Sequence, residues 1–361
     1  MSLPPLVLIA LGLAVLVVGA ELLVRGSVRL AAAAGLSPMV IGLTVVSLGT
    51  SSPELGVSLQ AALAGDDGLA LGNIIGSSIF NLTFLLGLGA LVTPIIVRQR
   101  LVRIDVPILI GLVTLTWILA LDGRLARLEG LLLLAGALAY TLLVVRDAPT
   151  EPTEVLAEYE LALEQAGGKS VRRLGAAAGL TIAGLAGLIV GGRWMLSGAT
   201  QLARDLGVDE LIIGLTVVAV GTSLPEIAAT VLAALRREPD LAVGNAVGSS
   251  IYNLLAILGA CALAAPAGLR VGASALWFDL PVLWIAALLC VPVFLWGGRI
   301  TRPEGVLLLV FYLGYLGALT WTARMPSEQT AAWPVLLAFL LPPSGLLAGW
   351  TIDGWRRSRT R

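Results

Sequence analysis

Stretches of about 20 apolar residues, the length that carries a helix across the hydrocarbon core of a bilayer, recur along this 361-residue chain with short polar turns between them. Spans are expected at 3–24, 38–64, 69–93, 104–121, 126–146, 174–199, 211–235, 240–264, 276–297, 304–322 and 332–351. Hydrophobic residues make up 58% of the chain and charged ones 13%. The mean hydropathy of +0.95 is far above what a soluble domain carries, so most of the surface must face lipid. Pro334, Pro342 and Pro343 interrupt the last stretch, for which a re-entrant or interfacial segment is the alternative. The first stretch has no basic residue before it and no small-residue cleavage site after it. It reads as a retained span, not a signal peptide.

Lipid is thus an expected partner and nucleic acid is not, because the net charge is zero and the basic residues are scattered among turns. There is no His, and Cys261 and Cys290 fall in apolar stretches, where they behave as small hydrophobes. Zinc sites and disulfides are not expected. An intramembrane enzyme would need a nucleophile with a base, or a metal centre, and no such set is evident. No cofactor and no protein partner is implied. What remains for binding an ion is oxygen, from carboxylates, amides, hydroxyls and backbone carbonyls, the ligands of hard cations.

Lys and Arg concentrate in cytoplasmic turns. With the amino terminus outside, most of the 23 fall inside, among them Arg98, Arg100 and Arg103 in one turn and Arg356, Arg357, Arg359 and Arg361 in the tail. The expected setting is a cell (inner or plasma) membrane, with the carboxy terminus cytoplasmic if eleven spans cross.

The chain also repeats itself. The segment from Val40 to Glu54, ending Gly-Thr-Ser-Ser-Pro-Glu, returns from Ile212 to Glu226, ending Gly-Thr-Ser-Leu-Pro-Glu. Gly72 to Asn81 then matches Gly244 to Asn253 at the same offset of 172, and Glu129-Gly130 matches Glu304-Gly305 at a slightly larger one. Five spans per half put the second copy in the opposite orientation. The expected fold is an all-α polytopic membrane protein, an inverted-topology repeat of five plus five transmembrane helices with an eleventh helix at the carboxy terminus. Its parts would be a first repeat at 1–146, an acidic cytoplasmic linker at 147–170, a second repeat at 171–322 and an extra span with a basic tail at 323–361. Inverted repeats place substrate near the bilayer midplane, usually on broken helices.

Glu54 and Glu226 lie near the middle of spans 2 and 7, where a charge costs at least about 2.5 kcal/mol. Spans 2, 3, 7 and 8 have no Lys or Arg in their interiors to pair with them. Each glutamate follows a proline, Pro53 or Pro225, whose ring lacks an N–H and clashes with the carbonyl four residues earlier. Carbonyls around Gly49-Thr50 and Gly221-Thr222 are therefore expected to leave the helical ladder and seek protein or an ion. On a continuous helix Ser47, Thr50, Ser51 and Glu54 would share one face, as would Ala219, Thr222, Ser223 and Glu226. Ser77 with Asn81, and Ser249 with Asn253, repeat four-residue spacing on spans 3 and 8. Two carboxylates balance one divalent ion, and the oxygen set suits the six to eight ligands of Ca²⁺.

The two copies of Gly-Thr-Ser-x-Pro-Glu, each followed by Gly-Asn-x-x-Gly-Ser-x-x-x-Asn, resemble the alpha repeats of the cation/calcium exchanger superfamily, specifically its sodium/calcium exchangers. The resemblance covers residues 1 to 322. It implies that Glu54 and Glu226 bind Ca²⁺ with the carbonyls of Thr50 and Thr222. It also implies flanking Na⁺ sites at Ser51, Ser77, Ser223 and Ser249 with the carbonyls of Ser47 and Ala219, and a central position lined by Asn81 and Asn253. Three Na⁺ would exchange for one Ca²⁺, with spans 1 and 6 acting as a sliding gate. Some members carry Asp where this chain has Asn253, so potassium coupling is not expected. The alternative is a calcium/proton antiporter, although those usually place a glutamate soon after Gly-Asn, whereas Asn73 and Asn245 precede apolar residues. A cation channel could share an oxygen-lined path. Glu21 and Arg193, in equivalent places on spans 1 and 6, are expected either to pair across the gate or to snorkel separately.

Overall fold

The computed structural model describes residues 4–146, 171–206, 219–295 and 298–324. The acidic linker at 147–170, the start of span 7 and the segment at 332–351 lie outside the described residues. In chain order the helices are α1 (Pro5–Ala34), α2 (Pro38–Thr50), α3 (Ser52–Ala64), α4 (Asp67–Val92), α5 (Leu101–Asp122) and α6 (Arg127–Arg146). The second half adds α7 (Val171–Asp205), α8 (Ala219–Thr222), α9 (Leu224–Leu235), α10 (Pro239–Ala264), α11 (Ala275–Phe294) and α12 (Arg302–Arg324). Among the described residues eight helices are long and apolar enough to cross a membrane, and the bent pair α2–α3 is a ninth candidate. This is an all-α polytopic membrane protein.

The internal repeat is visible in the backbone. Helix α4 carries a π-helical turn at Asn81–Leu85 and α10 carries one at Asn253–Ile257, the same place in each copy. Helices α5 and α11 both open on a π turn, Leu101–Asp105 and Ala275–Asp279. Two-residue strands β1 (Ile95–Ile96), β2 (Arg124–Leu125), β3 (Leu269–Arg270) and β4 (Arg299–Ile300) pair antiparallel across the copies, β1 with β4 and β2 with β3. Glu129 and Glu304 make matching first-turn caps, accepting from the N–H of Ala126 and of Thr301 at 2.6 Å each.

Two compact units form, and each draws on both copies. The first takes its described residues from Met1–Pro53 and Ala137–Ser249, the second from Glu54–Gly136 and Ser250–Arg361. The first unit is organised by α1 against α7. Gly12, Gly19 and Gly26 on α1, and Gly184, Gly191 and Gly198 on α7, recur every seventh residue. A Cβ built at Gly12, Gly19, Gly26 or Gly191 would lie 2.5, 2.7, 2.6 or 2.7 Å from a backbone nitrogen of the opposite helix. The two backbones are thus in direct contact, as small residues allow between membrane helices. Leu16, Leu23, Leu188, Ala229 and Leu241 fill the core beside this seam, while Leu6, Leu13, Val17 and Val18 face outward.

Both α1 and α7 outrun the spans expected for them. Thirty residues in α1 extend about 45 Å at 1.5 Å per residue, longer than a hydrocarbon core of about 30 Å. The helix continues past Arg25 and Arg29 until Gly35, in the left-handed conformation at φ 70°, ends it. Glu21 does not meet Arg193. It accepts from Arg236 Nε at 3.0 Å and pairs with Arg25 one turn on, while Arg193 is exposed. An exposed arginine at a helix surface reaches water along its own stem, whereas Arg236, at the end of α9, offers a two-pronged partner to the carboxylate.

In the second unit, Gly87 meets Gly305 and Gly130 meets Gly259, again at equivalent places. Phe80, Phe84 and Tyr312 form an aromatic cluster. Tyr315, stacked on Phe278, donates to Asp279 Oδ1 at 3.0 Å. Helices α4 and α10 are the most enclosed, with 78% and 83% of their apolar windows buried against 22% in α6. These two helices are therefore packed against protein along most of their length.

The seam is testable. Gly19→Val should collapse the α1–α7 contact and lower the melting temperature of the purified protein by several degrees, a class of effect that overpacking produces at about 1–3 kcal/mol. Gly179→Ala, where a Cβ meets nothing within 4 Å, should leave it unchanged.

Candidate functional site

The prolines act differently from the interior kinks expected of them. The chain breaks at Ser51, with φ −78° and ψ 9°, and again at Ser223, with φ −89° and ψ 9°. The axis turns by 46° between α2 and α3. Pro53 and Pro225 then sit in the first turn of a new helix, where a missing N–H costs nothing. Ser47 and Glu54 consequently do not lie on one continuous helical face. Glu54 and Glu226 are instead first-turn residues of α3 and α9, where the positive end of the helix dipole favours a carboxylate. The repeated break thus supplies part of the compensation that basic residues do not.

In the first unit most of the expected oxygens come together. Glu226 is 1% exposed. Its Oε1 accepts from the Ser51 hydroxyl at 3.2 Å, and its Oε2 is buried without a hydrogen-bond donor. Ser47 donates to the Gly42 carbonyl at 2.6 Å, with the Asn245 carbonyl 3.1 Å away. The Ser47 carbonyl accepts from Ser51 N–H at 3.1 Å and lies 3.5 Å from the Ser249 hydroxyl. Thr50 donates to Asn245 Oδ1 at 3.1 Å. Thr222 and Ser223 are buried beside the second break, and Ala219 lies in α8.

In the second unit Glu54 is 1% exposed, and its carbonyl accepts from Asn73 Nδ2 at 3.3 Å. Ser77 and Asn81 are buried on α4. Asn253 Nδ2 donates to the Ser78 hydroxyl at 3.4 Å. The amide oxygens of Asn81 and Asn253 are both buried and accept no hydrogen bond, although a buried carbonyl-type oxygen ordinarily finds a donor. Each belongs to a residue that opens a π turn, and such turns mark functional positions in helices. Among the described residues no three His, Cys, Asp or Glu side chains gather as a metal centre. A cation here would be held by amide, hydroxyl and carbonyl oxygens with a carboxylate, a set suited to a hard ion that must leave again.

Repeated breaks, first-turn glutamates and matched acceptor amides all fall on the two copies of one motif. The family model for the sodium/calcium exchanger protein matches residues 4–146 and 176–321. The chain belongs to the sodium/calcium exchanger family. It is 36% identical over 315 residues to the putative antiporter CaxA of Alkalimonas amylolytica, covering 86% of this chain and 96% of that one. It is 31% identical over 346 residues to the sodium/calcium exchanger MaX1 of Methanosarcina acetivorans, covering 86% and 96%. Among solved structures, the sodium-calcium exchanger NCX_Mj superposes with a TM-score of 0.75 at 30% identity, covering 87% of this chain and 98% of that one. Its membership makes this chain a multi-pass membrane antiporter for cations including Ca²⁺, in a family of transporters and not of enzymes.

Four residues of this family member packed beside the two glutamates went unread in the sequence. Asn73 donates to Ser58 at 2.8 Å and Asn245 donates to Thr230 at 3.0 Å. Ser58 and Thr230 lie one turn after Glu54 and Glu226. The repeat held the signal, since a hydroxyl four residues after each glutamate and an amide in each Gly-Asn recur together.

Ser51→Ala removes a donor from a buried carboxylate and should destabilise the ion-free protein by about 1–3 kcal/mol, read as a lower melting temperature in chelator. Ser52→Ala, whose hydroxyl only bonds back to Leu48 at the surface, should not.

Proposed function

We propose that this chain exchanges Na⁺ for Ca²⁺ across a cell membrane by alternating access, with Glu54 and Glu226 carrying the ions. The observation that supports this most is the state of Glu226: buried, held by Ser51 at one oxygen and without a donor at the other. A carboxylate in that condition is costly without a cation. By position in the repeats, the carbonyls of Thr50 and Thr222 join the glutamates on Ca²⁺. Ser51, Ser77, Ser223 and Ser249, with the carbonyls of Ser47 and Ala219, serve Na⁺, and Asn81 and Asn253 line the centre. The acceptor oxygens of those two amides suit that role. No cofactor and no protein partner enters this mechanism.

Coupling then follows from charge. Either one Ca²⁺ or several Na⁺ neutralise two carboxylates, whereas the empty pair resists crossing in low dielectric. Sodium as the driving ion is supported by the names of the relatives MaX1 and NCX_Mj. The amino terminus is placed outside on the arginine asymmetry of the turns.

Radiolabelled Ca²⁺ uptake into proteoliposomes, under imposed Na⁺, H⁺ or K⁺ gradients, tests the reading. Uptake should require an outward Na⁺ gradient, and uptake driven by protons alone would replace Na⁺ with H⁺. Glu54→Gln and Glu226→Gln should each abolish exchange, and full activity in either would remove the site. Acidification should slow transport, since protons compete with cations for the same carboxylates.

A further inference from the structure

Asn245 is 1% exposed, and both ends of its amide are used. Its oxygen takes the hydroxyl of Thr50 at 3.1 Å and its nitrogen donates to Thr230 Oγ1 at 3.0 Å. Asn253, about two turns further along the same helix, leaves its oxygen without a donor. Two buried amides of one repeat thus do different work, one presenting an acceptor and the other spent on protein contacts.

The partners of Asn245 are placed with purpose. Thr50 ends α2, immediately before the break at Ser51. Thr230 lies one turn beyond Glu226 on α9. The break and α9 are therefore joined twice, directly by Ser51 to Glu226 Oε1 at 3.2 Å and indirectly through Asn245. The direct bond must rearrange whenever a cation takes the carboxylate or the Ser51 hydroxyl. The indirect one bypasses the Ser51 hydroxyl and ends on Thr230, one turn beyond the carboxylate, while the Thr50 hydroxyl at its other end also hydrogen-bonds Glu226. We propose that Asn245 is a positioning residue, a strut from Thr50 to Thr230 that holds the helix break at a fixed spacing from the Glu226 carboxylate while ions exchange. In the other copy the contacts differ, with Asn73 Nδ2 donating both to the Glu54 carbonyl at 3.3 Å and to Ser58 Oγ at 2.8 Å.

A strut of this kind sets selectivity. Ca²⁺ and Na⁺ are close in size, but Ca²⁺ draws on six to eight oxygens and loses more when one contributing segment drifts. This inference rests on the reading that Glu226 carries the transported cation.

The test uses the full chain in proteoliposomes, measuring half-saturating Ca²⁺ and Na⁺ concentrations and the maximal exchange rate. Asn245→Ala and Thr230→Val should each raise half-saturating Ca²⁺ by about 10- to 100-fold, the range for losing an outer support of an ion ligand. Half-saturating Na⁺ should move less, and the maximal rate should stay near that of the unmodified protein. Thr230→Ser, which keeps the acceptor, should behave as the parent. The double variant should be no worse than the worse single one, because both cut the same strut. If Asn245→Ala does not fold, Thr230→Val, which preserves shape, decides the matter.

Unchanged Ca²⁺ half-saturation in folded Thr230→Val overturns the strut. So does an equal loss for both ions that tracks a fall in melting temperature, or additive losses in the double variant. An unmodified protein that moves no Ca²⁺, or a fully active Glu226→Gln, overturns the functional reading and the strut with it. An active parent with a dead Glu226→Gln and unaffected strut variants removes the strut alone.

Discussion

A carboxylate held out of water in the middle of a membrane is the constraint on which the rest of this structure depends. Its cost is not met by a Lys or Arg on its own or the adjoining repeat helices, since spans 2, 3, 7 and 8 hold none in their interiors. It is met by backbone. The chain breaks before each glutamate and restarts a helix whose amino-terminal end points its partial positive charge at the acid. A proline in that first turn makes the restart cheap, and the hydroxyl of Ser51 meets one oxygen of Glu226. What remains unsatisfied is an oxygen on the carboxylate and an oxygen on each of two amides.

The same economy explains why the copies are so alike in some places and not in others. Glycines at seven-residue spacing on α1 and α7, and the crossings of Gly87 with Gly305 and Gly130 with Gly259, fix the distance between backbones. Any side chain there would force helices apart, so the repeat is strict. On the α1 surface the copies diverge. Glu21 is held by Arg25 and Arg236, while its counterpart Arg193 is exposed. A lipid- or water-facing position carries no such distance constraint, and the two copies end on different sides of the chain's charge pattern.

Much of this was legible in the sequence because it follows from short-range rules. Spans are read from the length of apolar runs, the repeat from identical spacing, and candidate ligands from polar residues that have no cheap reason to be in lipid. The two glutamates, the asparagines at 81 and 253 and the serines beside them stand out in this way. Where reading failed, it had assumed continuity. A proline was expected to bend a helix through which Ser47 and Glu54 still shared a face, but the chain stops and starts again at Ser51. The spans expected at 3–24 and 174–199 stopped short of Arg25 and Arg204, but α1 and α7 run on because each is supported along its length by the other.

The sequence by itself determined that this chain crosses a membrane repeatedly, that it does so in two related halves, and that each half brings a glutamate directly after a proline in a polar motif. Those features are set by composition and by local backbone chemistry, which act within a few residues. Only the tertiary structure decided how the amides divide their work, with Asn245 and Asn73 spent on Thr230 and Ser58 while Asn253 and Asn81 keep an acceptor to offer. All four are buried or nearly so asparagines in one repeated motif. Whether an amide is consumed or presented depends on which hydroxyl the neighbouring helix brings within three ångströms or so, and that is a property of packing that no local pattern contains.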